Sequence, residues 1–104
     1  MPQETDNNKI ISANLDLNVS TKARHDVILL VSKWCEECIP ADRVWKTLLE
    51  ERKDFTYRSI DVSDPEGRRI SINLYIRSVP STIIDGKLSY VGIPTKEDAN
   101  ELLN

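Results

Sequence analysis

Five consecutive apolar residues, Val27-Ile28-Leu29-Leu30-Val31, run without polar alternation. A strand with one wet face alternates, whereas a short unbroken apolar run is the pattern of a central strand buried on both faces. Such a strand needs neighbours on each side, and the rest of the chain supplies them. An amphipathic helix is predicted from about Cys35 to Lys53: Ala41, Val44, Trp45, Leu48 and Leu49 recur at three and four, and Asp42, Arg43, Lys46, Glu50 and Glu51 take the other face. Pro40 falls inside its first turns, where a missing backbone donor predicts a kink. Phe55 to Val62 alternates apolar and polar and reads as a second strand. Asp64 can cap a second helix, Pro65 fits its first position, and the pattern runs to about Tyr75.

Two further strands, Ser81-Thr82-Ile83-Ile84 and Lys87-Leu88-Ser89-Tyr90-Val91, flank Asp85-Gly86, a strong two-residue hairpin signal. Thr95 and Asp98 form a cap-like pair opening a last helix, with Ala99, Leu102 and Leu103 on its buried side. The order is β-α-β-α-β-β-α. The crossover helix makes the first two strands parallel, and the hairpin makes the last two antiparallel. The expected fold class is α/β, a mixed sheet of four or more strands with helices on both faces. Residues 9–24 fit neither period: Ile10, Ile11, Leu15, Leu17 and Val19 suggest a short strand or helical turn at the sheet edge. Residues 1–8 are polar and expected to be disordered. The organisation is therefore a disordered N-terminus followed by one domain over 9–104, without repeats or an internal linker.

Composition narrows the function classes. The chain is 39% hydrophobic and 30% charged over 104 residues, which suits one soluble globular domain. A net charge of -3 and no basic face argue against binding nucleic acid through phosphate contacts. No segment approaches the ~20 apolar residues that span a bilayer. The N-terminus has neither a basic start nor an apolar stretch, so it does not read as a secretory signal. The expectation is a cytoplasmic, monomeric protein without nucleic-acid or membrane partners.

Both cysteines lie in Trp34-Cys35-Glu36-Glu37-Cys38, where the buried strand hands over to the helix. A pair this close removes little chain entropy, so redox chemistry or metal binding is the better reading. A helix N-terminus offers free amide donors and partial positive charge, and both stabilise a thiolate. The spacing also puts the second sulfur within disulfide reach of the first. A lone C-x-x-C equally fits half of a zinc site.

The sequence from about residue 26 to 104 resembles the thioredoxin family and its glutaredoxin-sized relatives. The resemblance rests on Trp34 to Cys38, on Ile76-Arg77-Ser78-Val79-Pro80-Ser81, and on Asp85-Gly86-Lys87 with Val91-Gly92 after it. It implies a thioredoxin-like fold in which Cys35 attacks and the more buried Cys38 resolves the mixed disulfide. It implies a cis-proline at Pro80 beside the pair, with the backbone of Val79 holding an extended substrate segment. Gly92 matches the family glycine near the same groove, and Trp34 shields Cys35 while offering partners a flat contact. The residues alone explain Pro80 without a cis bond, since proline is tolerated at the head of a strand.

The chain also departs from the family pattern. Glu36 and Glu37 stand where thioredoxins usually carry Gly-Pro and glutaredoxins Pro-Tyr. Two carboxylates disfavour a neighbouring thiolate, while Lys33 and the helix terminus favour it. The expected result is a less acidified nucleophile and a pair that acts as reductant rather than oxidant. Thioredoxins usually carry a buried aspartate where Leu29 stands, so resolution would depend on water or on Glu37. The Gly-Gly and aspartate of a glutathione site are replaced by Val91-Gly92-Ile93-Pro94.

His25 reads as a surface loop residue, Trp45 as core, and Tyr75 and Tyr90 as packing residues. The leading expectation is an enzyme that reduces or exchanges disulfides in proteins or peptides, without a bound cofactor, recharged by a reductase or a low-molecular-weight thiol. Two alternatives stay open at this stage: a zinc or iron–sulfur module completed by a second copy, and an adaptor that binds along the Trp34–Pro80 groove without turnover.

Overall fold

The computed structural model describes residues 23–104. The expectations for residues 1–8, and for an element within 9–24 up to residue 22, lie outside the described residues. Four strands and three helices follow in the order β1 (His25–Val31), α1 (Cys38–Arg52), β2 (Phe55–Asp61), α2 (Pro65–Asn73), β3 (Ser81–Ile84), β4 (Lys87–Val91) and α3 (Lys96–Leu102). The sheet order is β2-β1-β3-β4. β1 pairs with β2 in parallel, Leu29 opposite Ser59, and with β3 antiparallel, Leu29 opposite Thr82. The apolar run therefore lies in a strand with neighbours on both sides, and Val27, Leu29 and Leu30 have no solvent exposure.

Alternation along β1 divides the core. Val27 and Leu29 pack with Ala41, Trp45 and Leu48 of α1, Phe55, and Ala99 and Leu103 at the chain's end. Ile28 and Leu30 face the other way, onto Ile60 and Ile83, with Ile70 and Leu74 packed against them. Helices α1 and α3 thus cover one face and α2 the other. Trp45 is the largest fully buried side chain. Its ring meets Phe55 edge-on at 5.8 Å and stacks on Tyr57 at 6.4 Å, and its indole N–H donates to Thr82 Oγ1 at 3.2 Å. Arg52, near the end of α1, donates to the Asn100 carbonyl at 3.1 Å and ties the two helices together.

Local chemistry explains most boundaries. Asp85 and Gly86 both take positive φ, 53° and 83°, the pairing a tight turn between twisted strands requires. Thr95 caps α3 by accepting from the Asp98 N–H at 3.0 Å. Asp64 occupies the N-cap position of α2 with extended backbone, but its side chain makes no capping bond. The nearby side-chain bond belongs to Asp61, whose Oδ1 accepts from the Ser63 N–H at 2.8 Å.

Several expectations are corrected. Helix α1 begins at Cys38 rather than Cys35. Pro40 consequently falls in its first turn, where backbone donors have no partner within the helix, so no kink is required. His25 is the first residue of β1, not a loop residue, and its Nδ1 lies 2.7 Å from Asp85 Oδ2. Tyr90 is half-buried, and its hydroxyl donates to Asp98 Oδ2 at 3.3 Å. Helix α2 stops at Asn73, and Tyr75 is not a packing residue: it is 85% exposed.

Tyr75 follows the α2 C-cap with φ of 55°, while the next amide, of Ile76, donates back to the Ser71 carbonyl at 2.9 Å. This is the left-handed helix ending that glycine favours. A tyrosine there bears the Cβ penalty of the left-handed region and recovers little burial in exchange. Tyr75→Gly is expected to stabilise the domain by about 1 kcal/mol. Urea unfolding should show a higher midpoint at unchanged slope. A lower midpoint would mean that the ring makes contacts of its own in solution.

Candidate active site

The cysteines sit on the connection between β1 and α1, residues 32–37 with Cys38 opening the helix. Beyond Val31 the chain turns back on itself: the Cys35 N–H donates to the Ser32 carbonyl at 3.3 Å, and the Cys38 N–H to the Cys35 carbonyl at 3.2 Å. These tight turns bring the two Cα atoms to 5.3 Å, and the sulfurs are joined in a disulfide. Because α1 starts at Cys38, that residue lies in the first helical turn and Cys35 just outside it. The disulfide sets the Cys35 sulfur beside Cys38 at the positive end of the helix, although Cys35 itself lies outside α1.

The two sulfurs have different surroundings. Cys38 is 6% exposed, whereas Cys35 is half-buried. Two shallow hollows meet at Cys35. One, of about 450 Å³, is lined by Ser32, Trp34, Cys35, Glu36, Glu37 and Val79. The other, of about 270 Å³, lies behind it and includes Lys33, Cys35, Cys38, Asp42 and Ser59 in its wall. Cys38 lines only the second. Trp34 is 87% exposed beside Cys35, an aromatic face held in solvent rather than packed away.

Val79 and Pro80 come from the segment leading into β3. Their peptide bond is cis, and Pro80 is buried while Val79 is half-exposed. Gly92 meets this segment from the far end of β4. Its N–H donates to the Pro80 carbonyl at 2.8 Å, and its φ of 100° is one that side chains rarely adopt. Gly92 thus holds Pro80 from behind and does not line the hollow in front of Cys35.

Of the charged residues singled out from the sequence, Glu36 and Glu37 are exposed on the rim of the front hollow, and Lys33 is exposed at the mouth of the rear one. Glu37 stands at the N-cap position of α1, but its side chain makes no capping bond. The charge of Lys33 also reaches Asp61 at the end of β2. Bonds from the Ser63 hydroxyl and amide, more than Lys33's charge, hold that carboxyl below the usual range. Leu29 is fully buried. Among the described residues no group of three or more His, Cys, Asp or Glu is arranged to hold a metal ion.

Asp42 is the site residue that helical periodicity does not reveal, since the pattern puts it on the exposed face of α1. It is four residues beyond Cys38 and so lies on the same helical face. Its Oδ1 accepts the Tyr57 hydroxyl at 2.6 Å, and its Oδ2 pairs with Lys46 at 3.0 Å. Burial, together with the Asp42 carboxylate, pushes the Tyr57 hydroxyl's pKa well above its ordinary value. The i, i+4 spacing to a cysteine is the one signal for it that the sequence carries.

The family described as thioredoxin domain matches residues 26–104. No curated protein matches. Among solved structures, the chain is similar to a mutant thioredoxin from Halobacterium salinarum NRC-1, at 24% identity over 78% of this chain and 73% of that one, with a TM-score of 0.64. It is similar to thioredoxin O2 from Arabidopsis thaliana in its oxidised state, at 20% identity over 77% and 76% of the two chains, TM-score 0.64. Fasciola hepatica thioredoxin gives 20% identity over 79% and 80%, TM-score 0.62. At these identities the solved structures speak to the fold.

Proposed function

Because the chain belongs to the thioredoxin family and holds Cys35 and Cys38 at disulfide distance, we propose that this thiol–disulfide oxidoreductase works as a protein-disulfide reductase. The observation that carries the reading is the unequal exposure of the two sulfurs. Cys35 opens onto the hollow between Trp34 and Val79, and Cys38 lies behind it. In the dithiol form the Cys35 thiolate attacks one sulfur of a substrate disulfide, and the other substrate sulfur leaves as a thiolate. The Cys38 thiolate then attacks Cys35 Sγ, the bond from Cys35 to the substrate breaks, and the second substrate thiolate departs. Two electrons have passed to the substrate, and the Cys35–Cys38 disulfide remains.

Each neighbour has a part in this reading. Trp34 supplies a flat apolar contact, and the Val79 backbone offers strand-like hydrogen bonds to an extended substrate segment. Pro80 and Gly92 fix the position of that backbone. Glu36 and Glu37 oppose the Cys35 thiolate and Lys33 favours it, which leaves the thiolate modestly stabilised and the disulfide favoured. The partners are disulfide-bonded proteins or peptides, with a thioredoxin-reductase-type enzyme or a small thiol returning the electrons. A reducing compartment such as the cytoplasm suits a dithiol donor.

The reduction potential tests this directly. Equilibration in thiol–disulfide buffers, followed by Trp34 fluorescence, is expected to place the Cys35–Cys38 couple near ~-270 mV or lower, the range of a reductant. A value near ~-120 mV would instead indicate an oxidant. Failure to form a reversible disulfide would remove the redox reading and bring the metal-binding alternative forward.

A further inference from the structure

The resolving step has a requirement that the two sulfurs do not meet alone. Cys38 attacks as a thiolate, yet it is 6% exposed and does not line the hollow where substrate would sit. Its proton must leave through the rear hollow. Residues Val31, Ser32, Ile39 and Ser59 contribute no acid or base to that wall. Lys33 is a cation and serves poorly as an acceptor. The one carboxylate lining the rear hollow is Asp42.

We propose that Asp42 is the proton acceptor for Cys38 during resolution. One helical turn separates the two residues, which sets their Cβ atoms about 5–6 Å apart on the same face of α1. The hollow between them is about 270 Å³, roomy for water at roughly 30 Å³ each, so a single water can carry the proton across. The carboxylate is aimed from two sides: the Tyr57 hydroxyl on β2 holds Oδ1 at 2.6 Å, and Lys46 on α1 holds Oδ2 at 3.0 Å. Each oxygen keeps a further lone pair for an incoming proton. The buried strand behind the pair presents Leu29, which has no proton to exchange. The remaining charge facing this hollow is Lys33, whose influence also reaches Asp61 on β2.

The step balances. The Cys38 thiol gives its proton through water to the Asp42 carboxylate. The new thiolate attacks Cys35 Sγ, the Cys35–substrate bond breaks, and the departing substrate thiolate takes a proton from solvent while Asp42 releases its own. The Cys38–Cys35 bond forms, and the substrate sulfur is reduced. The inference rests on the disulfide-exchange reading above, in which Cys38 resolves.

The test uses full-length protein carrying a thionitrobenzoate group on Cys35 as a mixed disulfide, with release of the coloured thiolate followed by stopped flow across pH. In Asp42→Asn the side chain keeps its shape and still accepts from Tyr57. Release is expected to slow about 100-fold at pH 6, with the two profiles converging once pH exceeds the pKa of the Cys38 thiol. Tyr57→Phe, which keeps the Asp42 carboxylate but removes the bond that aims its Oδ1, is expected to slow release at pH 6 by less than Asp42→Asn does and to converge with the wild type at the same high pH. An equal slowing of Asp42→Asn at every pH would overturn the proposal, because it indicates a structural role. Faster release at low pH would overturn it too, because it shows that the carboxylate acts only by opposing the thiolate. Wild-type protein that releases nothing would overturn the disulfide-exchange reading itself, and this assignment with it.

Discussion

A Cys35→Ser variant is expected to lose disulfide-reducing activity by at least about 10⁴-fold, while Cys38→Ser stops halfway with substrate attached. The asymmetry follows from exposure. Cys35 alone opens onto the hollow between Trp34 and Val79, so its removal leaves no sulfur that an incoming disulfide can reach. Cys38 sits behind, 6% exposed, and a serine in its place leaves Cys35 free to attack but nothing to displace the product. A disulfide-bonded peptide mixed with Cys38→Ser should give a covalent adduct of one peptide half per protein, seen by mass spectrometry and lost on adding dithiothreitol. Cys35→Ser should give none. Adduct formation by Cys35→Ser, or full turnover by Cys38→Ser, would mean that the roles of the two sulfurs are reversed or that a small thiol resolves the adduct. Both variants should keep the wild-type circular dichroism, because the pair spans only the short connection between β1 and α1.

Trp45→Ala is expected to cost about 3–5 kcal/mol, against a total of about 5–15 for a domain of this kind. Trp45 has no solvent exposure and bridges α1 to the sheet through Phe55 and Tyr57. Its loss opens a cavity between them. It also strips Thr82, itself fully buried, of its indole donor, and an unsatisfied buried hydroxyl carries a penalty of its own. The midpoint of thermal unfolding should fall by at least about 15 °C. Trp34→Ala makes the contrast. At 87% exposure its removal should move stability by no more than about 0.5 kcal/mol, although it removes the flat contact proposed for substrate. A small shift for Trp45→Ala would mean that the core closes around the gap.

Most of the architecture is readable from local chemistry. The unbroken run Val27 to Val31 marks the central strand, Asp85-Gly86 the hairpin, and Thr95 with Asp98 the start of α3, because each pattern reports a backbone requirement met by neighbouring residues. Features set by distant contacts are not readable. Helical periodicity starts α1 at Cys35 instead of Cys38, since the turns through Ser32 and Cys35 that precede the helix are invisible to it. An aromatic side chain at Tyr75 suggests burial, and nothing local reveals that the chain there is left-handed and exposed. His25 joins β1 with Asp85, sixty positions away, bonded to its ring. At the site, the cysteine pair and the segment around Val79 and Pro80 are legible as motifs. Asp42 is hidden among the polar residues of α1, and only the approach of Tyr57 from β2 distinguishes it from its neighbours.

The position of β1 has a consequence for how steadily the site is held. Its amides and carbonyls are engaged on two sides, by β2 and by β3, so its amide hydrogens can exchange with solvent only when the whole domain opens. The loop that carries Cys35 and leads to Cys38 is attached to that last unit to open, not to a fraying edge. Openings of β1 are therefore governed by the global unfolding equilibrium, and damage far away, in the packing around Trp45, reaches the anchor of the redox loop as more frequent opening rather than as altered geometry. In a partly destabilised variant, deuterium uptake along β1 would keep step with the loss of global stability.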